Sequence, residues 1–252
     1  MPRPPITQVQ RARRRLLVAA GVLGVPPLLG RLPAAAATSN TVIDAACVLS
    51  PAMTEGPYFV DEKLDRSDLV AGSNRAGVVQ GLPLLLRIDL RNVAVANCPP
   101  VAGMQVDIWH CDAVGEYSDV SAGNAPSGAK GQSFLRGYQV SGADGRVAFR
   151  TIYPGWYPGR TIHIHVKARA FDGAGNRAFE FTTQLFFDDA ISDVVMADAP
   201  YNTRGTRRIR NANERMDPDQ TAAFVKIARA PDGARGYVAN ATLGLLRETR
   251  KV

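Results

Sequence analysis

The sequence has no acidic residue in its first 37 positions, only three histidines and three cysteines, and little helical periodicity. Each shortage excludes something. Six arginines (Arg3, Arg11, Arg13, Arg14, Arg15 and Arg31) carry nearly all of the formal charge of +7, leaving +1 for the remainder. A chain so close to neutral beyond its first segment has no footprint for a phosphate backbone, so no nucleic-acid partner is expected. The apolar run Leu16–Gly30 is short and broken by Pro26 and Pro27, which makes it a poor membrane span, and no other segment is a candidate for stable membrane insertion.

What stands there instead is the order of a signal peptide: a basic stretch, an apolar run, then the small residues Ala34–Ala37. Arg13, Arg14 and Arg15 followed by Leu16 and Leu17 fit a twin-arginine signal, with an ordinary secretory signal as the alternative. Residues 1–37 are therefore read as the signal peptide and 38–252 as the mature, exported domain, periplasmic or extracellular. In an oxidising compartment three cysteines suggest one disulfide and one free thiol. Cys98 and Cys111 flank a strand candidate whose ends lie roughly 20 Å apart, too far to be bridged. The bridge should involve Cys47, with either partner open.

After the signal the pattern is of short β segments separated by Gly, Pro and Asp. Strands are expected over 82–90, 104–110, 134–140, 146–152, 160–168, 178–187 and 236–245. Asp144-Gly145 predicts a hairpin between the third and fourth, and Asp172, Gly173 and Gly175 a turn between the fifth and sixth. A short helix is expected over 217–228, starting near Asp217. The whole reads as one all-β domain, a sandwich of mainly antiparallel strands with long active-site loops and little helix.

His163 and His165 form His-x-His within a strand, so both imidazoles project from one face and can grip one metal ion. Ile162, Ile164 and Val166 mark the other face as buried. A cupin would want a Glu soon after the second histidine, where this chain has Arg169 and Ala170. A three-histidine site would have to recruit His110. A two-histidine, one-carboxylate iron(II) triad stays open through Asp107 or Asp112, though neither stands at His-x-Asp spacing from His163 or His165.

Tyrosines offer a further set of ligands. Pro154, Gly155, Tyr157, Arg160, His163 and His165, with Trp109, Gly115 and Tyr117 upstream, resemble the intradiol ring-cleavage dioxygenases, which include the protocatechuate and catechol enzymes. Thr54, Gly56, Pro57 and Tyr58 match that family's pocket segment, and Thr183, Gln184, Leu185 and Phe186 match a later strand. The resemblance runs from about Cys47 to Gly244 and implies Fe(3+) held by Tyr117, Tyr157, His163 and His165. It implies Arg160, Tyr157 and Gln184 as catalytic groups, and Pro57, Tyr58 and Trp156 as substrate pocket. Trp109 is core or pocket wall, and His110 a structural histidine. The implied reaction is cleavage of a small catechol-type diol by O2 to a cis,cis-muconate-type diacid.

Two departures bear on the substrate. There is little room for the helical dimerisation region of the catechol branch, which favours a compact, protocatechuate-like or secreted branch. The Tyr157–His163 interval is shorter than in the protocatechuate enzymes, so the pocket rim differs. Oligomeric state is left open. The competing readings are a different His-x-His metalloenzyme and a secreted β-sandwich that binds a ligand without chemistry.

Overall fold

A computed structural model of the protein describes residues 47–71, 79–120, 130–217 and 223–247. The signal segment and its boundary near Thr38 lie outside the described residues. Nine strands are described: β1 (Pro83–Asn92), β2 (Gln105–Trp109), β3 (Arg136–Val140), β4 (Arg146–Ile152), β5 (His163–Phe171), β6 (Arg177–Phe186), β7 (Ala223–Phe224), β8 (Lys226–Arg229) and β9 (Tyr237–Leu245). They form two sheets, in the orders β4-β1-β9-β8 and β3-β2-β5-β6-β7. Pairing is antiparallel except for β1 with β9 and β6 with β7, which run parallel.

The core lies between the sheets. Leu84, Leu86, Ile88 and Leu90 alternate along β1 toward Val106 and Ile108 of β2 and Ile164, Val166 and Ala168 of β5. Burial with period 2 is what a strand with one face toward the core shows. The β5–β6 hairpin also forms, its turn tightened by Asp172 Oδ1 accepting from the Ala174 and Asn176 amides.

Two expectations are corrected. Asp144-Gly145 does make a tight turn, with Gly145 at φ 76°, but the flanking strands do not pair. β3 pairs with β2 and β4 with β1, so the turn carries the chain from one sheet to the other. Turn chemistry fixes a reversal; the apolar partners available to each strand decide where it goes. The helix expected over 217–228 is also absent from its described part, where β7 and β8 stand instead. Val225 donates to the Phe186 carbonyl, and β8 pairs with β9, so sheet edges outbid a weak amphipathic pattern. The helix that forms lies elsewhere, α1 (Asp189–Met196), capped by Asp188 accepting from the Ile191 amide.

Among the cysteines, Cys47 bonds to Cys98 and Cys111 remains a buried free thiol. None of the described helices is long and apolar enough to cross a membrane.

Candidate metal and active site

β5 is buried on both faces, and this is what builds the site. One face carries Ile164, Val166 and Ala168 into the core. The other carries His163, His165, Lys167 and Arg169 in a row, covered by the segment 51–61. That segment is tied across β5 and β6. Met53 N donates to Thr182 O, Thr183 Oγ1 to Pro51 O, and Gln184 Nε2 to Thr54 O, the last two at 2.8 Å. Lys167 pairs with Glu55, and Arg169 with Asp61 at 2.9 Å and Asp107 at 2.8 Å. Two buried cations thus fasten an otherwise irregular segment over the histidines.

The tyrosines arrive on two interlocked loops. Asp112 Oδ1 accepts from the Val114 and Glu116 amides, rounding off the loop that ends in Tyr117. The Gly155 amide donates to Asp112 O, which joins this loop to the one carrying Tyr157. The fit is too close for side chains: a Cβ on Gly115 would lie 2.1 Å from Trp156 O, and one on Gly155 2.4 Å from Ala113 O. Glycine at both positions is thus a steric requirement for bringing the two tyrosines together.

The polar atoms converge. Tyr157 Oη lies 3.1 Å from His163 Nε2, which lies 3.1 Å from His165 Nε2. The Tyr117 ring lies 5.7 Å from that of Tyr157 and 6.4 Å from that of His165, centroid to centroid. The buried Tyr117 hydroxyl has no hydrogen-bond partner, nor does His165 Nδ1. His163 Nδ1 donates to Thr161 O at 2.7 Å, which leaves the Nε2 lone pair facing the cluster. Trp109 stacks on His165, with centroids 4.8 Å apart and planes within 7°, and Tyr58 stacks on Tyr117 at 4.5 Å.

Burial keeps all four groups neutral. It pushes both phenols up, that of Tyr117 well above the ordinary tyrosine value, and holds both imidazoles well below theirs. Two lone-pair imidazoles and two phenols converge here, with Tyr157 Oη, His163 Nε2 and His165 Nε2 each 3.1 Å from the next, and together they make a donor set that could hold a cation. Two ligands each about 2.1 Å from one ion at a right angle would stand about 3 Å apart. Nitrogen with phenolate oxygen suits a hard, high-valent ion such as iron(III).

The alternative ligands point elsewhere. Asp107 is taken by Arg169, and Asp112 by backbone amides. His110 is spent on Cys111 O and Thr151 Oγ1, each at 2.7 Å. Among the described residues no three His, Cys, Asp or Glu side chains gather into a metal site, so an ion held by the histidine pair would need tyrosine as well.

Arg160 lies ahead of β5, so strand alternation does not govern it. After the Pro158-Gly159 turn, with Gly159 at φ 91°, its Nη1 comes within 3.4 Å of His163 Nε2 and its Nη2 donates to Gln184 Oε1. Gln184 is wholly buried opposite His165 in the β5–β6 register. A cavity of about 330 Å³ opens beside Tyr157, walled by Trp156, Pro158, Thr206, Arg208 and Ile209. Of the expected pocket residues only Trp156 lines it; Tyr58 is half-buried on the Tyr117 side, and Pro57 is exposed. Two groups went unread in the sequence: Glu214, which binds Arg160, and Arg136, which donates to Tyr58 O and Ser118 O. Neither lies in a motif, and only spatial proximity reveals them.

The chain is a β-sandwich that sets paired histidines on one strand against tyrosines from two loops. A family model described as Dioxygenase matches residues 54–223. An intradiol ring-cleavage dioxygenase from Tetranychus urticae is 31% identical, with a TM-score of 0.64, over 81% of this chain and 98% of that one. Catechol 1,2-dioxygenase 1 of Acinetobacter lwoffii is 43% identical over 123 residues, 42% of this chain and 36% of its own length. Chlorocatechol 1,2-dioxygenase of Pseudomonas sp. (strain P51) is 28% identical over 60% of this chain and 61% of its own. The chain thus spans 36% and 61% of the length of these two curated relatives, less than two thirds of either. It belongs to the intradiol ring-cleavage dioxygenase family.

Proposed function

We propose that the protein is an exported, iron(III)-dependent enzyme that cleaves catechol-type diols between their hydroxyl-bearing carbons with O2, giving cis,cis-muconate-type diacids. The observation that carries this reading is the convergence of Tyr157 Oη, His163 Nε2 and His165 Nε2, with the unpartnered Tyr117 hydroxyl, in a buried pocket. Tyr117, Tyr157, His163 and His165 would hold the ion. Bound iron(III) supplies a hard Lewis acid that ionises phenols and activates the diol toward O2.

The chain's own residues do the rest. Tyr157, beside the cavity, would be the phenol that gives way to the incoming diol, its Oη taking up a diol proton. Tyr117, walled in by Tyr58, stays. His163 is held in one tautomer by Thr161 O, and His165 is kept in plane by Trp109. Arg160, steadied by Gln184, offers fixed positive charge where negative charge develops on the ring. The cavity beside Trp156 admits a small aromatic diol. Export is supported by the Cys47–Cys98 disulfide, which suits an oxidising compartment.

Purified protein should be reddish, carry iron, and consume O2 with at least one member of a panel of catechols, yielding a product heavier by two oxygen atoms. Colourless, iron-free protein that leaves every catechol intact would overturn the reading.

A further inference from the structure

We infer that Glu214 is a positioning residue for Arg160, its buried carboxylate aiming the guanidinium and balancing its charge beside the histidine pair. This rests on the ring-cleavage reading above. The Glu214 side chain is fully buried and that of Arg160 is 12% exposed, so the pair sits where charge is poorly solvated. Glu214 Oε1 accepts from Arg160 Nε at 3.0 Å and from the Met216 amide at 3.0 Å, and Oε2 accepts from the Thr161 amide at 2.7 Å. Each nitrogen of the guanidinium then has a separate neighbour: Nε has Glu214, Nη2 has Gln184, and Nη1 faces His163 Nε2.

That third contact is the reason a carboxylate is needed. A guanidinium 3.4 Å from an imidazole nitrogen that turns its lone pair into the cluster repels any cation held there. Left unpaired it would turn away toward the solvent. Glu214 removes the net repulsion and, with Gln184, fixes the side chain at two points, so that only Nη1 is left to meet the substrate ring. The residue itself is immobilised. Thr161 Oγ1 donates to Asn211 Oδ1 at 2.9 Å, and Asn211 Nδ2 donates to Phe187 O at 2.8 Å, pinning the turn that carries Glu214 to the end of β6.

The test is Glu214→Gln. Its single carbonyl oxygen cannot serve both sides of the site, and its NH2 would face either Arg160 Nε–H or the Thr161 amide. Because Arg160 acts mainly as charge develops, kcat should fall by about 10- to 100-fold while KM moves by less than about 3-fold. Iron content and the visible band should be retained. In an Arg160→Ala background the same substitution should cost nothing further, because the two residues act as one unit. Unchanged kcat in Glu214→Gln would overturn the inference. So would loss of iron in step with activity, or an equal further loss in the Arg160→Ala background, since either would make the role merely structural. Should Glu214→Gln fail to fold, Arg160→Lys takes its place: it keeps the charge but lacks the Nε–H donated to Glu214. It should lose kcat and keep iron, and normal turnover would equally overturn the inference. Wild-type protein that cleaves no catechol would bring down the functional reading itself, an outcome visible without any variant.

Discussion

At the residue scale the site is an arrangement of two phenols and two imidazoles that burial holds uncharged, and the proposed ion would be what ionises the phenols. Replacing His163 or His165 by Ala should therefore abolish both iron and colour, as measured by metal analysis and the visible spectrum. Arg160→Ala should instead keep both and lose about 10²- to 10³-fold in kcat, by analogy with removal of one preorganised donor. Oxygen uptake beside an iron assay separates the two outcomes. His110 supplies a pH dependence. Burial presses its imidazole down to about 4, so the native state disfavours the proton that the unfolded chain binds near 6.5. Its contribution is intact above pH 6.5 and is lost as pH falls toward 4, up to about 3 kcal/mol. Thermal melts of wild type and His110→Gln across that window should show a flatter slope in the variant, though a lower melting point at pH 7. Equal slopes would place the acid sensitivity elsewhere.

At the scale of elements, the loops ending in Tyr117 and Tyr157 are matched by close approach of their backbones. Gly115 stands at φ 80° with no room for a Cβ against Trp156 O. Gly115→Ala should cost about 2–3 kcal/mol and lower iron content, because the loops must part to admit the methyl group. Unfolding curves and metal analysis would check it; a fully loaded, equally stable variant would show that the loops yield cheaply. The β segments themselves were legible in the sequence. The apolar neighbours of His-x-His report which face is buried, and a strand side chain has only two faces to choose between. The crossing between sheets at Asp144-Gly145 was not legible, because a turn does not name its partners. Nor were β7 and β8, short strands that exist through pairing with β6 and β9 rather than through their own pattern.

For the whole molecule, one covalent tie closes the chain across the sandwich. Cys47 and Cys98 are 51 residues apart, so losing their bond frees a long loop in the unfolded state. Cys47→Ser should destabilise by about 2–4 kcal/mol, read from denaturant midpoints under non-reducing conditions. Replacing Arg13 and Arg14 together by Lys should strand the precursor in the cytoplasm in folded form; unchanged export would favour an ordinary secretory signal. Folding before export suits a twin-arginine route, since a ligand set drawn from two loops and a strand assembles only in the folded chain.

The sequence by itself marked seven of the nine described strands and the same-face pairing of His163 and His165, because strand periodicity is written into local spacing, whereas the tyrosine, arginine and glutamine positions around them came from the resemblance to the ring-cleavage dioxygenases. It also narrowed the disulfide to Cys47 without naming the partner. Only the tertiary structure decided that Cys98 is that partner, that Lys167 and Arg169 clamp the covering segment, and that Glu214 faces Arg160 from 54 residues downstream. The physical reason is common to all three. Buried charges and thiols take whatever partner packing brings within reach, and such contacts depend on distances in space that no local spacing encodes.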